Sequence, residues 1–194
     1  MLCIRSAYVQ VKKLKVFFAT SNKHKFSEAK GILSKENIEI EHFQFSHKEI
    51  RSDDIEEVAV EAVNTAYKLA KKPIFVEDTG LFIEALNDFP GTFSAWTIKK
   101  IGIEGIIRLL SGITSRKAEF RTCIAYHDGE QLHTFVGICE GKITEKPSGN
   151  DGFGYDPIFI PIGGNETFAQ NIGFKNKLSH RYKSLLKFSK FLKQ

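Results

Sequence analysis

Pro73-Ile74-Phe75-Val76-Glu77-Asp78-Thr79-Gly80 opens as a short apolar run and passes straight into two carboxylates, a hydroxyl and a glycine. Such a run reads as a buried strand, with the acids just past its end at the edge of a sheet. Upstream, Leu14-Lys15-Val16-Phe17-Phe18-Ala19 is another β-prone run, and Thr20-Ser21-Asn22 after it supplies residues that cap helices. Phe26, Ala29, Ile32 and Leu33 then recur at helical spacing, while Lys23, Lys25, Glu28 and Lys30 take other faces. Ile38 to Phe45 is β-like again. After Asp53 and Asp54, acids that suit a helix N-terminus, Ile55, Val58, Ala59, Ala62, Ala66 and Leu69 share one helical face. Strands alternating with helices predict an α/β sheet whose ligands bind beyond the carboxyl ends of its strands.

Farther along, Ala118 to Tyr126 and Leu132 to Cys139 are strand-like and are joined across Asp128-Gly129, a hairpin signal. This hairpin is expected to form part of a second lobe. Beyond the glycine-rich stretch Ser148 to Gly154, Pro157-Ile158-Phe159-Ile160 reads as a strand. A last helix begins after Ser179 and carries Tyr182, Leu185, Leu186 and Leu192. At 194 residues the chain has the length of one domain, or of one domain with a smaller lobe.

Composition narrows the partners. No segment approaches the ~18 apolar residues of a membrane span, and Met1 to Lys13 lacks the apolar core and cleavage site of a secretory signal, so a soluble cytoplasmic protein is expected. Cys3, Cys123 and Cys139 have no CxxC spacing, which argues against a disulfide framework or a zinc site. The net charge of +5 suits an acidic partner, but the 28 Lys and Arg residues are spread along the chain rather than gathered in a block. Phosphate substrates and nucleic acid both fit that charge, and a solvated basic surface is the simplest account of it.

Four segments could carry chemistry. Thr20-Ser21-Asn22-Lys23-His24-Lys25 lies between a strand and a helix, where unpaired N–H groups, hydroxyls and the helix dipole favour an anion. It lacks the GxxxxGK[ST] spacing of a Walker loop, and helix capping by Ser21 or Asn22 is the plainer reading. Glu77 and Asp78 place carboxylates where a metal could sit; Mg²⁺ takes one or two of them, and Glu49 and Asp78 are the candidates, beside a plain acidic turn as the alternative. Asp78-Thr79-Gly80 also matches the aspartic-protease triplet, but only one copy occurs and the helix-rich pattern does not suit an all-β protease. Phe153, Gly154, Tyr155 and Asp156 combine backbone freedom, aromatic faces and a hydrogen-bond acceptor, a set suited to a nucleobase or to a plain glycine-rich turn. Lys175, His180 and Arg181, at and before the last helix, suit phosphate or a polar base edge.

Taken in order, FFATSNKHK at Phe17 to Lys25, VEDTGLFIEAL at Val76 to Leu86, FPGTFSAW at Phe89 to Trp96, GFGYDPIFIP at Gly152 to Pro161, TFAQ at Thr167 to Gln170 and KNKLSHR at Lys175 to Arg181 resemble the Ham1-like inosine triphosphate pyrophosphatases, also called XTP/dITP diphosphatases. The resemblance spans nearly the whole chain. It implies an elongated mixed α/β sheet with flanking helices, two lobes with a substrate cleft between them, a homodimer, and Mg²⁺-dependent hydrolysis of ITP, dITP or XTP to monophosphate and pyrophosphate. Carried onto matching positions, Thr20, Ser21, Asn22 and Lys25 would hold the triphosphate, with Lys23 and His24 in the same segment. Glu49 and Asp78 would hold the metal, Asp78 would also be the general base, and Thr79 would contact substrate. Phe153, Gly154, Tyr155, Asp156, Lys175, His180 and Arg181 would line the base and sugar. The family usually has serine where Thr79 stands and usually begins near the strand that starts here at Leu14, so Met1 to Lys13 is expected to be an extension before a single two-lobed domain over residues 14–194. Two rivals predict other behaviour: a Maf-like pyrophosphatase with a different base preference, and a nucleic-acid binder with salt-dependent binding and no turnover.

Overall fold

The computed structural model describes residues 14–194, so the expected extension at Met1 to Lys13, and Cys3 within it, lies outside the described residues. The chain runs through β1 (Leu14–Ala19), α1 (Lys23–Lys35), β2 (Ile38–Phe43), α2 (Ile55–Ala70), β3 (Ile74–Ile83), β4 (Pro90–Gly91) and α3 (Ser94–Leu109). It continues through β5 (Lys117–His127), β6 (Leu132–Ile143), β7 (Phe159–Pro161), α4 (Ile172–Leu178) and α5 (His180–Leu192). The strands form one sheet in the order β2-β1-β3-β5-β6-β7, with β4 paired to β3 off that path. β2, β1 and β3 are parallel, whereas β3, β5, β6 and β7 are antiparallel, which gives the expected mixed α/β sheet.

The length of β3 creates the site. Only Phe17 with Ile74 and Phe18 with Phe75 pair between β1 and β3, whereas β5 pairs with β3 from Ile74 through Ile83. Glu77, Asp78 and Thr79 therefore lie inside a strand, not in a turn after it, at the level where β1 has ended. This corrects the sequence reading: the β5 ladder keeps β3 extended past its acids. Gly80 is required there, because a Cβ would meet the Gly91 carbonyl oxygen at 2.4 Å.

Two apolar clusters sandwich the parallel half of the sheet. Val16, Phe18 and Phe75 meet Ala29, Leu33, Leu185 and Phe188 of α1 and α5, while Ile74 and Val76 meet Ala59, Val63 and Ala66 of α2. A third cluster, with Leu81, Ile83, Ile106, Phe120, Phe159 and Phe168, fills the far end of β3 and β5. Strand alternation thus sends Phe75 and Glu77 to one face and Val76 and Asp78 to the other. Leu69, assigned to the buried face of α2, is 66% exposed; it sits in the last turn before Lys71 turns the chain out in a left-handed conformation.

The hairpin forms as expected, with the Asp128 carboxylate accepting from the backbone N–H groups of Glu130 and Gln131. Its place is central, since β5 pairs with the whole of β3 and only its Lys117 end reaches the third cluster. The strand expected over Pro157 to Ile160 begins at Phe159, because Asp156–Ile158 close a 3-10 turn first. No helix among the described residues is long and apolar enough to cross a membrane.

Candidate active site

A cleft of about 520 Å³ opens where β1 ends and β3 continues. It is lined by Thr20, Ser21, Asn22, Lys25, Glu49, Asp78, Thr79, Phe153, Gly154, Tyr155, Asp156, Lys175, His180 and Arg181, which were separated by up to 161 positions in the sequence reading. Lys23 and His24, from the same candidate set, do not line it. Glu77 does line it, as do Ser94 and Ala95, which had no assigned role.

On one side stands the start of α1. Asn22 caps this helix, its side-chain oxygen accepting from the His24 and Lys25 backbone N–H groups at 3.0 and 3.1 Å. The plainer reading of Asn22 is therefore realised, and its carboxamide oxygen is committed to the backbone. Lys25 reaches across to β3, where its Nζ donates to the Glu77 carbonyl at 3.0 Å and lies 3.4 Å from Glu77 Oε1.

Glu77 anchors a buried ion-pair network. Arg181 grips its carboxylate with Nε at 2.7 Å and Nη2 at 2.8 Å, and sends Nη1 to Glu28 at 2.6 Å. Lys175 in turn donates to Glu28 and to Asp156, both at 2.7 Å. Burial alone would push the Glu77 carboxyl up, but the Arg181 and Lys25 charges together bring it down to about 2, so it stays ionised. The Thr79 hydroxyl donates to Glu77 Oε1 at 2.8 Å and stands 2.7 Å from the Thr122 hydroxyl. A pairing across more than 100 positions leaves no local signal, so the sequence offers Glu77 only as a possible metal carboxylate and gives Glu28 no role.

Asp78 is in the opposite state. Its Oδ2 is shut away from solvent and has no hydrogen-bond partner among the described residues, although the residue as a whole keeps some exposure to the cleft. Burial pushes its carboxyl up to about 6; Lys25 pulls it down, and Glu49 and Glu77 push it further up. No cluster of three or more His, Cys, Asp or Glu side chains with metal-binding geometry occurs among the described residues. A divalent ion with two carboxylates and the remaining positions filled by water or phosphate needs no such cage, and an orphaned, buried Asp78 oxygen beside Glu49 fits that need.

The remaining wall is the glycine-rich loop and the start of α5. Tyr155 is buried in the third cluster, and its hydroxyl donates to the Ser94 carbonyl at 2.9 Å, so its ring is fixed as part of the wall. Asp156 Oδ2 accepts from the Phe153 backbone N–H at 2.7 Å as well as from Lys175, and burial pushes its carboxyl up. His180 is stacked on Phe120 with ring centroids 4.5 Å apart, and its Nδ1 is buried without a partner among the described residues. Burial also pushes its pKa well below the usual 6.5, so the ring is neutral. The α5 start can approach β6 this closely because residue 137 is glycine: a Cβ there would meet the His180 carbonyl oxygen at 2.1 Å.

The cleft sets the partnerless Asp78 oxygen in one cavity with Lys25, Lys175 and Arg181, where a parallel sheet gives way to an antiparallel one. Residues 16–191 match the Ham1 family. The chain belongs to the Ham1 family. It is 44% identical to the dITP/XTP pyrophosphatase of Saccharolobus solfataricus over 180 residues, covering 92% of this chain and 94% of that one. To the Methanopyrus kandleri protein of the same name it is 46% identical over 182 residues, covering 93% and 97%. Among solved structures, the HAM1 protein from Coxiella burnetii superposes with a TM-score of 0.80 at 30% identity, covering 93% of this chain and 98% of that one. The Ham1 protein of Staphylococcus aureus does so with a TM-score of 0.80 at 28% identity. Membership of the Ham1 family fixes the fold class, and the relatives named above make the chain a nucleoside-triphosphate pyrophosphatase by class.

Proposed function

We propose that this Ham1-family chain is a Mg²⁺-dependent pyrophosphatase that hydrolyses non-standard purine nucleoside triphosphates, ITP, dITP and XTP among them, to the monophosphate and pyrophosphate. The observation that carries the reading is the cleft's lining: a buried Asp78 oxygen with no hydrogen-bond partner among the described residues, in one cavity with Lys25, Lys175 and Arg181. The name dITP/XTP pyrophosphatase, borne by relatives at more than 40% identity over almost the whole chain, supports the substrate class.

Glu49 and Asp78 are the residues that would hold Mg²⁺, which when bound supplies positive charge to the phosphate oxygens. Asp78 orients the attacking water and takes its proton. Thr20, Ser21 and the N-terminus of α1 offer hydroxyl and backbone donors to the triphosphate, and Lys25 offsets charge as pyrophosphate leaves. Phe153 presents an aromatic face to the base, and the free Nδ1 of neutral His180 is a polar contact for its edge. A 6-oxo purine can accept from such a wall where the adenine amino group cannot. The partner in this reading is a nucleoside triphosphate, not nucleic acid or membrane, and the protein acts in the cytoplasm as a homodimer.

Turnover of ITP, XTP, dITP, GTP and ATP, each with Mg²⁺ and with EDTA, tests the assignment. Hydrolysis of the first three that stops with EDTA and is far slower for GTP and ATP is expected. Equal rates for ATP and ITP, or full activity in EDTA, would overturn it.

A further inference from the structure

His24 follows the α1 cap and belongs to the segment read as phosphate-binding, yet it does not line the cleft. Its ring lies instead against Phe153, with centroids 5.1 Å apart and planes 20° from parallel. Phe153 belongs to the glycine-rich loop and does line the cleft. The loop's backbone is held from the other direction: Asp156 accepts from the Phe153 N–H, and Gly152 and Gly149 pass so close to Asp156 and to the Ala169 backbone that a Cβ would meet them at 2.2 and 2.3 Å. The Phe153 ring itself, being a hydrocarbon, makes no conventional hydrogen bond. Among the groups beside that ring are the Lys175 ammonium at 4.6 Å and the Arg181 guanidinium at 5.5 Å from the centroid, together with His24.

Lys175 and Arg181 are themselves locked in the Glu28, Asp156 and Glu77 network. The His24 ring is the aromatic face stacked on Phe153, and it joins the first turn of α1 to a loop 129 positions later in the chain. A stack of two rings has a defined geometry.

We propose that His24 is a positioning residue for Phe153, fixing the aromatic wall of the base subsite from outside the cleft, and that it takes no part in holding the triphosphate. The inference rests on the proposed function for its kinetic consequence and on the stack alone for its structural one.

The two roles demand opposite replacements. His24→Phe keeps the stack and loses any phosphate contact; His24→Lys does the reverse; His24→Ala loses both. Each full-length variant is assayed for KM and kcat with ITP and Mg²⁺, for binding of inorganic tripolyphosphate, and for hydrogen exchange in peptides spanning residues 148–156. Loss of one such stack is expected to raise KM for ITP about two- to tenfold in the Ala and Lys variants, with kcat changing less. Tripolyphosphate binding should be unchanged in all three. Exchange across the loop should rise in the Ala and Lys variants and return to the wild-type rate in His24→Phe. Rescue by Lys rather than Phe, or weaker tripolyphosphate binding in His24→Ala, would overturn the inference, as would unchanged exchange and KM in that variant. If wild-type protein fails to hydrolyse ITP, the proposed function falls, while the exchange pattern still decides whether His24 positions Phe153.

Discussion

Replacing Asp78 by asparagine should make the metal-free protein more stable while removing its activity. The carboxyl sits at about 6 in the folded protein against 3.8 in a free side chain, so above pH 6 folding holds a charge where the neutral form is preferred. At about 1.4 kcal/mol per unit, that shift corresponds to roughly 3 kcal/mol, reduced to about 2 kcal/mol by the residue's partial access to the cleft. The sign follows from proton binding: between pH 3.8 and 6 the native state retains a proton that the unfolded chain has released, so wild-type stability rises as pH falls through this window. Asparagine carries no charge at any of these pH values. Urea unfolding in EDTA should therefore show the variant more stable than wild type by about 2 kcal/mol at pH 8, and by about half as much at pH 5. Added Mg²⁺ should stabilise the wild type and leave the variant unchanged. ITP turnover should fall about 10²- to 10⁴-fold. An Asn variant less stable than wild type at pH 8, or a stability difference that does not change with pH, would refute the picture of Asp78 as a buried carboxylate whose charge destabilises the metal-free fold.

Glu77 should behave in the opposite way. Its folded value of about 2 lies below the ordinary 4.5, so its stabilisation is complete above pH 4.5 and disappears as pH falls toward 2. Glu77→Gln, which leaves Arg181 in a broken buried pair, should cost about 3 kcal/mol in urea unfolding at pH 7; a loss under 1 kcal/mol would contradict the network. Gly137→Ala forces a methyl against the start of α5 and should lower the melting temperature and raise KM for ITP together, since His180 and Arg181 ride on that turn. A variant with wild-type KM would show that α5 can yield without disturbing the cleft. Thr79→Ser keeps the hydroxyl that bonds Glu77 and should retain activity within a few-fold, whereas Thr79→Val should not; steady-state kinetics of the pair checks this.

Much of the parallel half was legible because it obeys local rules. The apolar runs at Leu14 and Ile74, the helical period after Asp54 and the capping residues before Lys23 each declare themselves within a few positions. The continuation of β3 through Glu77 and Asp78 was not legible, because the strand is kept by a partner more than 40 residues later rather than by its own composition. α3 escaped notice for local reasons: it has no side-chain cap, no acid in its first turn, and Gly102 in a non-helical conformation inside it. The same limit applies to the site. Lys25, Asp78 and Arg181 could be picked out singly, but the choice of Glu77 as the partner of Arg181 depends on strand alternation and on where α5 lands. Tyr155 and Asp156 read as base contacts by residue type, and their commitments to Ser94, Phe153 and Lys175 follow only from packing.

Phosphorus NMR of the reaction mixture, identifying the products released from ITP in the presence of Mg²⁺, decides whether the chain is a pyrophosphatase. Inosine monophosphate with an equal amount of pyrophosphate is predicted from the first turnover onward. Inosine diphosphate with orthophosphate, or no product at all from a folded protein, would contradict the account.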